Sequence, residues 1–228
     1  ANEQLKKLDV AKSDFISIAS HQLRTPLTVI KGYISMMLEG SFGKLTYNEK
    51  DSLKKVFESN ERLINLVENL LNISRIESGR LQYNFQSVGL DKIVTSVIDE
   101  LSAYAKRKNL YLDFKKPRQS LPKVKIDQEK IRQVIMNLVD NAIKYTKRGG
   151  VTIELKEADK KISCCVSDTG EGVIKEDLPN LFKKFSRGQG MNLIHTEGIG
   201  LGLYVAEMMI LAHHGKIWAE SLGKGLGS

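Results

Sequence analysis

The sequence predicts an α+β protein in which a hairpin of two long helices precedes a sandwich of helices and strands. Up to residue 79 the apolar residues recur every three or four positions, which is typical of amphipathic helices. Beyond residue 80, short segments of strand character are interspersed with shorter helical segments, which is typical of helices packed on a sheet. We therefore expect two domains, residues 1–79 and residues 80–228.

The first domain is predicted to be two helices joined by a glycine-containing turn at residues 40–46, with the second helix ending at Gly79. The apolar stripe of the first helix shifts register between Ile18 and Leu23, and His21 lies in this gap. The shift is expected to leave His21 outside the packed face of the helix.

Both predicted helices carry a wide apolar stripe, and a hairpin cannot bury two such stripes by itself. We therefore expect a second copy of the chain to complete a four-helix bundle, which makes the protein a homodimer. The chain also begins within a helix without a cap, which predicts that it is part of a longer protein. The stripes consist of Leu8, Ala11, Phe15, Ile18, Leu23, Leu27, Ile30, Ile34 and Met37 in the first helix and Leu53, Val56, Asn60, Leu63, Val67, Leu70 and Ser74 in the second.

The second domain is predicted to contain three helices and six strands, with the helices covering one face of a sheet. The helices are expected at about residues 90–108, 128–146 and 201–213. The strands are expected at residues 81–88, 110–114, 123–127, 151–155, 161–168 and 216–221.

Composition narrows the functional classes. The chain has 228 residues and a net charge of +8, but its lysines are spread along the whole length without interleaved aromatic residues. We therefore expect no nucleic-acid partner.

The sequence has neither an apolar run of about 18 residues nor a signal-peptide pattern, so we expect no membrane span and no export. The adjacent Cys164 and Cys165 would point to opposite faces of a strand, which argues against a disulfide and fits a reducing cytoplasm.

Four polar clusters in the second domain are candidates for chemistry. In the first, Asn137 and Asn141 are four residues apart and so share a helix face, with Lys144 and Tyr145 close behind. Carboxamide oxygens suit a hard cation such as Mg²⁺, and a lysine ammonium suits a phosphate. An ordinary polar helix face explains this cluster equally well.

The second cluster, Asp168, Gly170 and Gly172, directly follows a predicted strand. A carboxylate at this point is able to accept a hydrogen bond from an exocyclic amine, and glycines allow a planar base to approach the main chain. A simple turn has the same composition.

The third and fourth clusters are "LFKKFSRG" and "GIGLGL". Phe182 and Phe185 either anchor a mobile segment or form a pair in the core, and Arg187 is placed to reach a phosphate. The glycines at 198, 200 and 202 open a predicted helix, whose amino-terminal amides are suited to an anion.

The order and spacing of these motifs resemble the histidine kinase superfamily of two-component signalling proteins, in the subfamily with a helical hairpin for dimerisation and histidine phosphotransfer. "SHQLRTPL" resembles the H box, "NLVDNAIKY" the N box, "DTGEG" and "GIGLGL" the two glycine boxes, and "LFKKFSRG" the F box. The resemblance extends over nearly the whole chain.

The resemblance implies an ATP-dependent histidine autokinase with a Bergerat-type nucleotide pocket in the second domain. His21 would accept the γ-phosphoryl group, which then passes to an aspartate in the receiver domain of a response regulator. Gln22 directly follows His21 and Thr25 lies four residues after it, at positions that the family implicates in catalysis and in dephosphorylation of the regulator. Residues from about 186 to 198 would form a lid over the ATP.

The implied pocket has a defined set of residues. Asn141 would bind Mg²⁺ beside Asn137, Lys144 and Arg187 would contact phosphates, Tyr145 would flank the adenine, and Asp168 would bind its amino group. The glycine boxes would contribute Gly170, Gly172, Gly198, Gly200, Leu201 and Gly202.

The chemistry of the H box agrees with a phosphoacceptor. A neutral imidazole nitrogen is nucleophilic near pH 7. Pro26 lacks an N–H group and crowds the carbonyl of Gln22, so we expect the helix to bend beside His21. Gln22 departs from the family, which usually has Glu or Asp at this position. The other three histidines, His195, His213 and His214, are expected to be structural.

Two alternatives stay open from the sequence. A nonenzymatic dimeric scaffold that only senses nucleotide is disfavoured by the intact asparagines, Lys144 and Asp168. Another ATPase of the same fold, such as a gyrase or a mismatch-repair protein, would lack the histidine hairpin. We expect a cytoplasmic location without membrane contact by these residues, which also fits the cytoplasmic portion of a membrane-anchored sensor.

Overall fold

The structure is a computed structural model that describes residues 2–117, 119–158, 161–186 and 200–228. The chain divides into two compact units, residues 1–81 and residues 82–228. In chain order the elements are α1 (Asn2–Leu38), α2 (Tyr47–Glu77), β1 (Phe85–Val88), α3 (Leu90–Arg107), β2 (Tyr111–Lys115), β3 (Val124–Asp127), α4 (Gln128–Tyr145), β4 (Gly150–Ala158), β5 (Lys161–Asp168), a 3₁₀ turn (Leu178–Asn180) and α5 (Gly202–Ala212). The α+β class and the order of a helical hairpin followed by an α/β domain are confirmed.

The first unit is the predicted hairpin, whose turn is set by local chemistry. Gly40 and Gly43 have positive φ angles of 87° and 115°, which an L side chain rarely adopts. Thr46 then begins α2 with a capping box: its hydroxyl accepts the Glu49 N–H, and the Glu49 carboxylate accepts the Thr46 N–H across 2.7 Å. The turn therefore brings α1 and α2 together as neighbours.

Few apolar side chains of the hairpin are buried, among them Ile34, Val67 and Leu71. Much of the predicted stripe is exposed in the single chain: Phe15 is 72% exposed and Ile18 64%. Among the residues whose side chains the structure describes, the hairpin also exposes Leu23, Val29, Ile30, Tyr33, Met36, Met37, Phe42, Tyr47, Val56 and Leu63.

The second unit packs α3 and α4 against a three-stranded sheet of order β2-β4-β5. Strands β2 and β4 are parallel and β4 and β5 antiparallel, while β1 and β3 form a separate antiparallel pair. Half-buried and exposed side chains alternate along β5, and the half-buried ones pack against the core. Fully buried residues at the centre of this core include Val94, Val97, Val139, Ile143 and Ile153.

One predicted strand is absent, and two are shorter than expected: β1, and β3 by one residue. Residues 216–221 have no strand assignment and pair with no strand in the part of the chain that the structure describes, and Trp218 is 59% exposed. Alternating polarity favours an extended segment, but a strand needs a neighbour to satisfy its main-chain groups. Strand β1 covers only residues 85–88 of the predicted 81–88, because its ladder with β3 is four residues long.

Candidate functional site

His21 is exposed on α1, outside the buried residues of the hairpin, as the shift in register predicts. Gln22 and Thr25 are exposed beside it, and the Thr25 hydroxyl donates to the His21 carbonyl oxygen across 3.4 Å. Helix α1 continues through Pro26, whose missing N–H leaves the carbonyl of Gln22 without its main-chain donor. The imidazole is thus accessible to a reaction partner from solvent.

In the second unit, the N box meets the second glycine box where α4 packs on α5. A Cβ atom placed on Gly202 would lie 2.5 Å from Oδ1 of Asn137, so only glycine allows this approach. The Nδ2 atom of Asn137 is buried and has no hydrogen-bond partner within the described residues. Leu201, at the N-cap of α5, supplies no side-chain cap to the first amides of that helix. An unsatisfied amide beside an uncapped helix terminus is an arrangement suited to an anionic oxygen.

The carboxyl end of α4 meets the first glycine box. The Glu171 N–H donates to the carbonyl oxygen of Tyr145 across 3.1 Å. The Gly170 N–H donates to Oδ1 of Asp168 across 2.8 Å, and a Cβ atom on Gly170 would lie 2.6 Å from the Tyr145 oxygen. The fold thereby brings Asp168, Gly170 and Tyr145 together.

The Asp168 carboxylate is half-buried at the end of β5. Its Oδ2 atom accepts the Ser228 hydroxyl across 2.5 Å, and each carboxylate oxygen has capacity for a second donor. Gly172, in the same turn, has a φ of 64° and faces the carbonyl of Gly223 at a distance that excludes a side chain.

The F box and the second glycine box are joined through the main chain: the Phe185 N–H donates to the carbonyl oxygen of Gly200 across 3.0 Å. Phe182 is half-buried, whereas Phe185 is 64% exposed with a φ of 59°. The alternative of a phenylalanine pair in the core is therefore wrong for Phe185. Arg187, Gly198 and most of the predicted lid lie outside the described residues.

Positive charge borders the contact between α4 and the first glycine box. The Lys147 ammonium pairs with the Glu171 carboxylate across 2.6 Å, and the Lys144 ammonium lies 6.0 Å from the centre of the Tyr145 ring. Because Glu171 offsets the charge of Lys147, it is the ammonium of Lys144 that adds positive charge at this edge.

The amino end of α4 is fixed by Asp127 and His213. The Asp127 N–H donates to Nε2 of His213 across 2.9 Å, so the neutral imidazole carries its proton on Nδ1, which lies 2.7 Å from the Met209 carbonyl oxygen. Burial disfavours ionisation of Asp127. The main-chain donors of Asn84, Lys130 and Glu129, with the charge of Lys130, outweigh that effect and lower the pKa of Asp127. His213 thus has a structural role, while His214 is exposed and His195 lies outside the described residues.

Two threonines shape the site although the sequence patterns predicted no role for them. Thr146 is fully buried, donates to the Ala142 carbonyl and places its Oγ1 beside Gly170. Thr169 accepts the Gly150 N–H and donates to the Arg148 carbonyl, which ties the first glycine box to the start of β4. The sequence feature that could have predicted a role for Thr169 is its position between Asp168 and Gly170 of the first glycine box.

The chemistry of the residues present fits a nucleotide phosphate, since the amide of Asn137 has an unused donor beside the uncapped amino terminus of α5. Within the described ranges, no group of three or more His, Cys, Asp or Glu side chains is assembled to hold a metal ion. A cation at Asn141 would therefore depend on ligands from the nucleotide and water, which is the usual manner of Mg²⁺.

Comparison with known proteins gives two family matches. Residues 11–79 match the His Kinase A (phospho-acceptor) domain, and residues 126–227 match the histidine kinase-, DNA gyrase B-, and HSP90-like ATPase family. Among the described residues, no helix combines the length and the hydrophobicity that a membrane-spanning segment requires.

Curated relatives align along almost the whole chain. The sensor histidine kinase WalK of Bacillus subtilis is 33% identical over 96% of this chain and 36% of its own length. The sensor protein SrrB of Staphylococcus aureus is 31% identical, over 96% of this chain and 37% of its own. The chain therefore spans about a third of the length of these relatives.

Solved structures show the same likeness. Full-length ShkA in complex with AMPPNP has a TM-score of 0.71 at 26% identity and covers 94% of this chain and 44% of its own. The histidine kinase AdeS of Acinetobacter baumannii has a TM-score of 0.59 at 29% identity, over 89% of this chain and 92% of its own.

Proposed function

Because this chain belongs to the sensor histidine kinases, as a phosphoacceptor domain followed by an ATPase domain, we propose that it phosphorylates His21 from ATP in two-component signalling. The observation that carries the proposal is the combination, in one chain, of an exposed histidine on the hairpin and a nucleotide-suited edge between α4 and α5. The complex of the similar kinase ShkA with AMPPNP, an analogue of ATP, supports ATP as the ligand.

The proposed reaction transfers the γ-phosphoryl group from the bridging oxygen of ATP to an imidazole nitrogen of His21. The imidazole nitrogen of His21 that carries no proton attacks the γ-phosphorus, forming a P–N bond. The bond from that phosphorus to the bridging oxygen breaks, and ADP leaves with the electron pair. Gln22 accepts a hydrogen bond from the protonated nitrogen and so holds the ring in the reactive tautomer. The pocket contributes position and charge neutralisation, with no covalent step of its own.

We propose the following roles in the pocket, which the resemblance to the family implies and the contacts described above support. Asp168 accepts the amino group of the adenine, Tyr145 flanks the ring, and Asn137 donates its unsatisfied amide to a phosphate. Lys144 and Arg187 neutralise phosphate charge. Mg²⁺, held by Asn141, would neutralise further charge on the phosphates when bound. The remaining proposed nucleotide contacts are the glycine-box residues Gly170, Gly172, Gly198, Gly200, Leu201 and Gly202.

We also propose that the hairpin forms a homodimer. The exposed stripe that includes Phe15, Ile18 and Leu63 is the surface that a second copy would cover, and the phosphoacceptor family is generally dimeric. Sedimentation equilibrium should give twice the mass of the chain, and Ile18→Lys should shift the species to a monomer.

The phosphoryl group would then pass to an aspartate of a response regulator. Tyr33 and Met36 are 54% and 38% exposed on α1 beyond His21, so a docked regulator would cover them. Exchanging these residues should change which regulator is phosphorylated. Gln22 and Thr25 would orient water for dephosphorylation of that regulator, and the cytoplasm is the proposed location.

The test pairs two histidine variants. His21→Asn should abolish acid-labile, base-stable incorporation of phosphate from radiolabelled ATP while leaving nucleotide binding intact, because acceptor and pocket lie in different units. His214→Asn, which replaces an exposed histidine of the second unit, should leave incorporation unchanged. Nucleotide binding by the wild type without any incorporation would instead support the nonenzymatic scaffold.

A second test separates the two transfers. Asn141→Ala and Asp168→Asn should block autophosphorylation but spare transfer from His21 that is already phosphorylated, because that transfer needs no nucleotide. Equal loss of both transfers in a folded dimer would show that the roles given to Asn141 and Asp168 are wrong.

A further inference from the structure

Asn60 is a buried amide within the apolar stripe of α2, with 4% of its surface exposed. Its Nδ2 atom donates a hydrogen bond to the carbonyl oxygen of Leu27 on α1 across 2.9 Å. A polar residue at such a position costs stability relative to leucine and fixes the register of two packed helices. The bond joins a side chain of one helix to the main chain of the other.

The attachment point lies directly after Pro26. Proline has no N–H, so the carbonyl of Gln22 lacks the main-chain donor that every other residue at that position in a helix supplies. The hydrogen-bond ladder of α1 is thus interrupted between Gln22 and Pro26, immediately after His21. Leu27 is the first residue beyond this interruption, and Asn60 holds it.

The contacts that α1 makes between His21 and Pro26 are weaker. Arg24 and Glu68 form a cross-hairpin ion pair of 3.7 Å between side chains that are 38% and 44% exposed. Such exposed pairs contribute about 0–1 kcal/mol. The hydrogen bond from Thr25 to the His21 carbonyl is 3.4 Å long. The firm anchor of this part of α1 is therefore the bond from Asn60.

We propose that Asn60 is a positioning residue for His21: by anchoring the main chain of α1 immediately after Pro26, it restricts the orientations of the imidazole. This rests on the proposed role of His21 as phosphoacceptor. Misplacement of a reacting group by about 1 Å costs on the order of 10²-fold in rate, so loosening this anchor lowers the rate of transfer without touching the nucleotide.

The test is Asn60→Leu, which restores an apolar residue to the stripe. The melting temperature should stay unchanged or rise, and the KM for ATP should stay unchanged because the pocket lies in the other unit. The kcat of autophosphorylation should fall roughly ten- to a hundredfold. Amide hydrogen exchange over residues 23–30 should become faster in the variant.

Lys31→Met is the matched control. It removes the 2.9 Å ion pair with Glu61, a neighbouring cross-hairpin contact that involves no main-chain atom, and should keep the wild-type kcat. A wild-type kcat in folded Asn60→Leu overturns the proposal, and so does a fall in kcat that is matched by a loss of melting temperature.

The proposed function is contradicted by a different result, namely that wild-type protein incorporates no phosphate at His21. In that case hydrogen exchange still decides whether Asn60 anchors α1. Unchanged exchange over residues 23–30 in Asn60→Leu refutes the anchoring itself.

Discussion

The ammonium of Lys108 donates a hydrogen bond to the carbonyl oxygen of Ile143 across 2.7 Å. It also donates to the carbonyl of Lys144 across 3.0 Å. These carbonyls belong to the last turn of α4, where the helix itself provides no donor, and a cation there also interacts favourably with the helix dipole. Lys108 thus holds the turn that carries Lys144 and Tyr145 of the proposed pocket.

Lys108→Met should weaken this turn. The variant keeps an unbranched side chain only one heavy atom shorter but loses both hydrogen bonds, so we expect the second unit to lose about 1–2 kcal/mol of unfolding free energy. The dissociation constant for ATP should rise severalfold because Tyr145 is less well fixed. Urea unfolding and nucleotide titration measure the two effects. Lys92→Met, an exposed lysine at the start of α3, should change neither quantity, and equal effects in both variants would contradict the role of Lys108.

Gln22→Glu should raise the rate of autophosphorylation. A glutamine oxygen orients the imidazole but cannot offset the positive charge that develops on His21 as the phosphoryl group arrives. General-base assistance contributes about 10²–10⁴-fold in rate, part of which is orientation that Gln22 already supplies. Single-turnover phosphorylation at saturating ATP isolates this effect from binding.

Dephosphorylation of the regulator should survive with Gln22 in place, since an amide is able to orient water beside Thr25. An unchanged or lower rate of autophosphorylation in Gln22→Glu would show that charge at this position is not limiting. Domain closure would then be the step to examine.

The second unit should lose stability in acid through Asp127. Its pKa is lowered in the folded state, so ionised Asp127 contributes stability above the unfolded pKa of about 4, and this is lost as the pH falls through the folded value. The melting temperature should therefore decline below pH 4, and Asp127→Asn should show a smaller decline. Asp113→Asn, an exposed aspartate on β2, is the control and should follow the wild type.

The two cysteines should differ in reactivity. Cys164 points into the core, where burial raises the pKa of its thiol to about 12, whereas Cys165 is exposed. At pH 8 a thiol reagent should modify native protein once, and Cys165→Ser should remove that reaction. Modification of native Cys165→Ser at the rate of the wild type would contradict this assignment. Both thiols should react after unfolding.

The sequence alone determined the local features of this protein. The change from a spacing of three and four to alternation located the hairpin and the sheet, because each period places side chains on one face of its element. The helical period put Asn137 and Asn141 on one helix face. The two-residue period of a strand put the two cysteines on opposite sides of the sheet. Motif order then identified the family, which no single cluster was able to do.

Only the tertiary structure decided which faces meet. The contact of Asn137 with Gly202 and the bond from Asn60 to Leu27 join residues far apart in the chain. The segment around Trp218 is not a strand because, among the described residues, no neighbour supplies its ladder. Local spacing fixes the direction of a side chain along its own element. Its partner depends on how all the elements pack, and packing is a property of the whole fold.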